Sequence, residues 1–151
     1  MSTATLNAPT STDQAAILAV LANVRQSQHD KDVAQFANQF ADDASIFNLA
    51  PPLIHRGIDR GEKQAWFDSW STPIEIEPRD FEVTVSGDFA FCHGYLRMNG
   101  TKKGSEGAVS FWMRETLCLK RIDSEWKIVH EHTSVPFYMD DTLRPAFDLQ
   151  P

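Results

Sequence analysis

Apolar residues near the start of the chain recur at helical spacing. The first run consists of Ile17, Leu18, Leu21 and Val24. Residues three or four apart share one face of a helix, so this run predicts a helix over residues 12–28, with a capping box of Ser11 and Gln14 at its start. A shorter second helix, capped by Asp30, is predicted from a second apolar stripe. That stripe is Val33, Phe36, Ala37 and Phe40.

The pattern then changes briefly before a third helix. Residues 45–48 read as a short strand, which Pro51 and Pro52 end because proline lacks a backbone donor. Asp59, with Glu62 three residues later, is typical of a helix start. The apolar residues of this third predicted helix are Trp66, Phe67 and Trp70.

From residue 74 onward, apolar and polar residues alternate as in strands. Phe81, Val83 and Val85 alternate with polar residues, Gly87 and Asp88 favour a turn, and residues 89–98 run back. After a glycine-rich loop over 99–107, strands over 111–122 and 126–137 form a hairpin around Asp123-Ser124. Three helices followed by an antiparallel sheet predict an α+β domain.

Composition narrows the classes of partner. A chain of 151 residues with 42% hydrophobic residues can bury the core of one domain. The net charge of −7 and the lack of a basic run argue against nucleic acid and anionic membrane surfaces, which need a positive footprint. No apolar run reaches the roughly 18 residues of a membrane span. Neutral or small cationic ligands remain open.

The cysteines and the chain ends carry no recognisable chemistry. Cys92 and Cys118 lie within apolar strands and are predicted to be buried free thiols, rather than a disulfide or a nucleophile. With no signal-peptide pattern, we expect a cytoplasmic protein. We predict a flexible N-terminus over 1–11, a domain over 12–137 and a C-terminal tail over 138–151.

Three segments carry a resemblance to a known superfamily. They are FADDASIFN, HRGIDRGEKQAWF and RETLCLKRIDSEWKIVHEHTS. Their order resembles the nuclear transport factor 2-like (NTF2-like) superfamily, in particular its SnoaL-like and ketosteroid-isomerase-like members. The final hairpin is also similar to the association domain of calcium/calmodulin-dependent kinase II. The resemblance implies a cone-shaped fold with three N-terminal helices on a curved antiparallel sheet. The scaffold hosts many activities, so function does not follow from it.

Which side chains enter the cone depends on strand register, since a one-residue slip reverses both faces. A two-residue turn would place Glu115 opposite His132, whereas a bulge or a three-residue turn would place it on the face of Glu131 and Thr133. The pattern alone leaves both open. The kinase association domain has pocket arginines at positions matching Arg97, Leu117 and Thr133, and this resemblance implies that odd-numbered residues face inward.

On that reading the cone is apolar with a few polar groups, as small-molecule sites commonly are. Its predicted polar residues are Asn48, His93, Tyr95, Arg97, Glu115, Glu131 and Thr133, and its predicted walls are Trp66, Phe67, Trp70, Phe91, Phe111 and Leu117. Alternatively, Arg97 and Glu115 form a buried structural pair. Removing one partner of such a pair would lower the free energy of unfolding by about 3–5 kcal/mol.

The resemblance also bears on catalysis. Steroid isomerases of the superfamily use an aspartate after the first strand as the base, and Asn48 occupies that position. An amide cannot accept a proton at neutral pH, so a direct copy of that mechanism is disfavoured. Glu115 and Glu131, with pKa values raised by burial, are the candidate acid and base, and no cofactor is implied.

His130 and His132 lie two apart on one strand and would share a face. Zinc would need a third ligand such as His93 or His55, and no convincing set exists, so we predict no metal site. Superfamily members commonly pair through the outer sheet face. We therefore predict a homodimer through that face, where these histidines, Trp112 and Trp126 are expected.

Three functions of different classes fit the sequence. The first is a cofactor-free isomerase, cyclase or lyase acting on a small hydrophobic molecule. The second is a ligand-binding module without turnover. The third is an oligomerisation domain whose cavity has lost its role. Occupancy of the cone by a small molecule would favour the first two.

Overall fold

The computed structural model describes residues 11–151. Its helices are α1 (Ser11–Asp30), α2 (Val33–Asn38) and α3 (Arg60–Asp68). Its strands are β1 (Phe40–Phe47), β2 (His55–Arg56), β3 (Glu75–Ser86), β4 (Phe89–Gly100), β5 (Val109–Ile122) and β6 (Glu125–Ser134). The predicted α+β fold, with three helices packed on a curved sheet, is confirmed. The predicted flexible N-terminus and the capping side chain of Ser11 lie outside the described residues.

One six-stranded sheet forms the framework, in the order β2-β1-β6-β5-β4-β3. Neighbouring strands are antiparallel except β1 and β6, which run parallel. The core lies between the helices and one face of this sheet, where Ile17 of α1, Phe67 of α3 and Ile128 of β6 are fully buried. We call this the inner face.

Two predicted helix boundaries are wrong. Asp30 ends α1 instead of capping α2, because Lys31 adopts a positive φ of 57° and Asp32 is the cap, accepting a hydrogen bond from the Gln35 amide. Phe40 begins β1 and does not belong to the second helix. The predicted cap at Asp59 is confirmed, since its side chain accepts a hydrogen bond from the Glu62 amide at 2.9 Å.

The β5–β6 hairpin combines a tight turn with a bulge. Asp123 and Ser124 form a two-residue turn with φ values of 50° and 69°. Further along, Cys118 pairs with His130 and Leu119 with Ile128, which leaves one extra residue, Val129, in β6. The hairpin therefore has both features that the sequence presented as alternatives.

The bulge changes which residues of β6 face inward. Before it, the even-numbered Trp126 and Ile128 are buried in the core, with exposed fractions of 6% and 0%. Beyond it, the odd-numbered residues face inward, and Glu115 pairs with Thr133. The predicted position of Trp126 on the outer face is therefore wrong.

The prediction that odd-numbered residues face inward is right for β5 and wrong for β4. Residues paired directly across neighbouring strands share a face, and Glu115 of β5 pairs with Gly94 of β4. Even-numbered residues of β4 consequently face inward, where Cys92 and Leu96 are buried. Gly94 is close to the sheet neighbour Phe81, whose ring would lie 2.5 Å from an added Cβ.

The C-terminal tail packs against the sheet. Ala146 is buried, and the Phe147 ring lies 4.5 Å from that of Phe111. Cys92 and Cys118 are free cysteines, the first buried and the second half-buried. Within residues 11–151, none of the helices has the length and apolar character to cross a bilayer.

Candidate functional site

A cavity of about 330 Å³ opens between the helices and the inner sheet face. Its apolar wall includes Phe36, Ile46, Trp66, Ile76, Leu96, Met98 and Met113. Its polar lining includes Gln28, Asn48, His55, Lys63, Glu115, Glu131 and Thr133. Apolar walls with few polar groups are typical of small-molecule sites, and this volume lies at the compact end of their range of about 300–1,000 Å³.

Two carboxyl groups meet at the sheet side of this cavity. Glu115 lies on β5 opposite Thr133, and Glu131 lies on β6 opposite Leu117, so the two are diagonal neighbours on one face. Their carboxyl groups are hydrogen-bonded to each other. A hydrogen bond between two carboxyl groups requires a proton on one of them.

Burial and mutual repulsion shift the pKa values of the two carboxyl groups. Burial raises the pKa of Glu115 well above its usual value, and the charge of Glu131 raises it further. Burial also raises the pKa of Glu131, but the charge of Lys63 and the hydrogen bond from Glu115 oppose that rise. The pKa of Glu115 is therefore the more strongly raised of the two, and the charge of Lys63 favours ionisation of Glu131.

Lys63 approaches the pair from the helix side. Its backbone amide donates to the Asp59 carbonyl in the first turn of α3, which places its side chain in the cavity. The Nζ atom lies 3.9 Å from the ring centre of Phe36 and 4.4 Å from that of Trp66. Burial lowers the pKa of Lys63 to about 8, although the charge of Glu131 partly offsets this effect.

A second cation acts on the carboxyl pair from α1. Arg25 is partly buried, and its charge lowers the pKa of Glu115 against the effect of burial. Burial in turn lowers the pKa of Arg25. Lys63 therefore favours the charge on Glu131 and Arg25 favours it on Glu115, so the two cations act on different members of the pair.

Five predicted site residues line the cavity. They are Asn48, Trp66, Glu115, Glu131 and Thr133. Thr133 donates a hydrogen bond to the Phe47 carbonyl at 3.5 Å. Trp70 does not line the cavity: it lies beyond the end of α3, buried against Gly100. The catalytic roles assigned to Glu115 and Glu131 remain predictions.

The predicted inward positions of His93, Tyr95 and Arg97 are wrong. These residues lie on the outer sheet face because β4 has the opposite facing to β5. The Arg97 Nη2 atom pairs with the Glu77 carboxylate at 2.5 Å, and both side chains are 47% exposed. The predicted buried pair of Arg97 with Glu115 is therefore absent, and an ion pair this exposed contributes at most about 1 kcal/mol. Phe91, predicted as a cavity wall, lies on the same outer face.

Lys63 and Arg25 were not singled out by the sequence. A lysine on a short helix is usually solvated, and this one is three and four residues before Trp66 and Phe67. That spacing places Lys63 on the apolar face of α3, and this signal could have identified it. Arg25 directly follows the buried stripe of α1 and gave no comparable signal.

The two strand histidines are at the outer face, away from the cavity. His130 Nδ1 lies 2.7 Å from Ser45 Oγ, and the rings of His130 and His132 both contact Phe47. Among residues 11–151, no group of three or more histidine, cysteine, aspartate or glutamate side chains converges in a way that could hold a metal ion.

Comparison with known proteins identifies the family. The model of the SnoaL-like domain matches residues 17–138, which is most of the chain. The chain belongs to the SnoaL-like family. No curated protein matches this SnoaL-like protein.

Solved structures share the fold of this SnoaL-like protein. An NTF2-like protein of unknown function from Pseudomonas putida KT2440 is 25% identical, with 93% of this chain and 97% of that chain covered and a TM-score of 0.81. A provisionally assigned scytalone dehydratase from Novosphingobium aromaticivorans is 12% identical, with 92% and 96% covered and a TM-score of 0.72. A provisionally assigned ketosteroid isomerase from Shewanella frigidimarina is 20% identical, with 77% and 92% covered and a TM-score of 0.64.

The raised pKa of Glu115 predicts a pH dependence of stability. Above about pH 4.5 the carboxyl group ionises in the unfolded chain but keeps its proton in the folded protein, so wild-type stability falls as the pH rises. Glu115→Gln removes this loss and keeps a hydrogen-bond donor to Glu131. Relative to wild type, the free energy of unfolding of the variant, measured with urea, should therefore rise by up to about 1.4 kcal/mol per pH unit.

Glu125→Gln is the matched control, because Glu125 lies at the start of β6 with its side chain 72% exposed. Its difference from wild type should stay nearly constant over the same pH range. Parallel stability profiles for Glu115→Gln and wild type would show that Glu115 ionises normally in the folded protein.

Proposed function

We propose that this SnoaL-like protein is a cofactor-independent isomerase or lyase that acts on a small hydrophobic carbonyl compound by acid–base chemistry. The observation that carries this proposal is the hydrogen-bonded pair of Glu115 and Glu131 in the wall of an apolar cavity. Pairs of titratable groups whose surroundings separate their pKa values are a common source of a matched acid and base.

The two carboxyl groups take different roles in this mechanism. When the ligand binds, protonated Glu115 turns its one hydrogen bond from Glu131 to the ligand's carbonyl oxygen, where negative charge develops. The Glu131 carboxylate removes a proton from the neighbouring carbon. Returning the proton to a different carbon is an isomerisation, whereas loss of a leaving group from the next carbon is an elimination.

Lys63 supports this division of roles. Its positive charge lowers the pKa of Glu131, which favours the ionised form that a base requires. The rings of Phe36 and Trp66 cover the ammonium group and limit its contact with water. In this mechanism the ionised base therefore has its counter-ion within the cavity.

Asn48 lies at the cavity wall where β1 ends. Its amide can accept and donate hydrogen bonds but cannot act as a base, so in this mechanism it orients the ligand. The base is instead Glu131, which reaches the cavity from β6. The names of the two structural neighbours, a dehydratase and an isomerase, are consistent with proton removal next to a carbonyl group.

Deuterium exchange into 2-tetralone, a compact apolar ketone, tests the proposal directly. The wild-type protein should accelerate exchange at the carbon next to the carbonyl group, measured by proton NMR in heavy water. Glu131→Gln should slow the catalysed rate by about 10²–10⁴-fold, as expected for loss of a general base.

Glu125→Gln, on the same strand but exposed, should exchange at the wild-type rate. The proposal is wrong if the wild-type protein accelerates exchange in neither 2-tetralone nor a panel of smaller enolisable ketones. It is equally wrong if Glu131→Gln retains the full rate.

We also propose that the outer sheet face pairs with a second copy of the chain. Phe89, Phe91 and Tyr95 of β4 are exposed on this face, with exposed fractions of 58%, 46% and 39%. Three large apolar side chains on one strand form a surface that association would cover.

Phe91→Glu should convert a dimer into a 17.0 kDa monomer, because an apolar interface tolerates an unpaired charge poorly. Sedimentation velocity at micromolar concentration measures this. Leu53→Glu is the control, since Leu53 is 95% exposed and lies in the β1–β2 loop. A wild-type protein that sediments as a monomer would rule out the dimer.

A further inference from the structure

We propose that Lys63 is a covalent binding residue of the cavity, where its amine forms an imine with an aldehyde or an unhindered ketone. This inference rests on the proposed function, because it assigns a second role to the same cavity and the same class of carbonyl ligand. It adds a bond between protein and ligand that acid–base chemistry alone does not require.

The position of Lys63 makes this bond possible. The side chain lines the cavity together with Glu115 and Glu131. Its Nζ atom lies over the rings of Phe36, Trp66 and Phe67, at 3.9, 4.4 and 5.1 Å from their centres. Within residues 11–151 its ammonium group forms no hydrogen bond and no ion pair within 4.0 Å. No direct polar contact therefore has to break before the nitrogen reacts.

The surroundings of Lys63 also increase the fraction of free amine. Burial lowers its pKa from 10.5 to about 8. At neutral pH that change raises the unprotonated fraction by about two orders of magnitude. A lysine desolvated in an apolar pocket is a recognised nucleophile for carbonyl compounds.

The carboxyl pair can accept and donate every proton that this reaction transfers. Glu131 accepts a proton from the Lys63 ammonium group, and the free amine attacks the carbonyl carbon. A C–N bond forms, and the carbonyl oxygen takes a proton from Glu115, which regains one from the attacking nitrogen. Glu131 then protonates the hydroxyl group of this adduct, which leaves as water. The products are an iminium ion and water, and both carboxyl groups return to their starting states.

Reductive trapping with benzaldehyde tests this inference. Cyanoborohydride reduces the iminium ion to a stable benzylamine, which peptide mass spectrometry locates on the chain. Benzaldehyde has no hydrogen on a carbon next to its carbonyl group, so the experiment reports imine formation without proton abstraction from the ligand. We expect Lys63 to be labelled at least tenfold faster than any other lysine at neutral pH.

Lys102 is the matched internal control. Its Nζ atom also lies over an aromatic ring, 4.3 Å from the centre of Trp70, but it donates a hydrogen bond to Ser69 and is not part of the cavity wall. Labelling of Lys63 no faster than of Lys102 would overturn the inference. Because this comparison uses the wild-type protein, it does not depend on a variant that folds.

Two further results separate this inference from the proposed function. Preferential labelling of Lys63 without any deuterium exchange into the ketone panel would support the imine and contradict the acid–base enzyme. Deuterium exchange without preferential labelling would support the enzyme and contradict the imine. Lys63→Met should lose the label while Lys102 keeps its wild-type labelling rate.

Discussion

The extra residue in β6 determines what the cavity contains. Without the bulge at Val129, a strand that buries Trp126 and Ile128 would direct His130 and His132 inward and Glu131 outward. One added residue allows β6 to contribute to the core at its start and to the cavity at its end. The diagonal contact of Glu131 with Glu115 depends on this change of facing.

A carboxyl pair in the wall of an apolar cavity is unfavourable by itself, and the surrounding residues compensate for it. Two carboxylates in one apolar site would repel each other, and sharing a proton removes that repulsion at the cost of a raised pKa for Glu115. The charge of Lys63 favours the remaining charge on Glu131, and the Lys63 ammonium group itself lies over the ring of Phe36. The three groups are therefore interdependent, and removing one changes the ionisation of the others.

The sequence pattern predicts the helices and strands better than it predicts the contacts between them. Helix periodicity and the Asp59 cap predict the helices correctly because both depend on residues close together in the chain. The inward facing of Glu115 and Glu131 followed only once a resemblance was added to the strand pattern. Neither a bulge nor the register between two strands is encoded by a local pattern, because both depend on pairing across the sheet.

Arg97 shows the consequence of that limit most clearly. The sequence of β4 shows the alternation of its side chains. Which of its two faces lies inward depends on which β5 residue each β4 residue pairs with. Choosing the wrong face placed Arg97 beside Glu115, whereas its partner is Glu77 on the outer face. The cations that act on the carboxyl pair are Arg25 and Lys63, which precede Glu115 by 90 and 52 residues, too far for any local pattern to reveal the contacts.

The central claim is that Glu115 and Glu131 share one proton in the folded protein. Carbon-13 NMR titration of the glutamate carboxyl carbons, assigned with Glu115→Gln and Glu131→Gln, measures this most directly. We predict coupled titrations, with Glu115 remaining protonated well above the usual glutamate range, and a further rise in the pKa of Glu131 in Lys63→Met. Independent titration of both carboxyl groups near their ordinary value of 4.5 would contradict the claim.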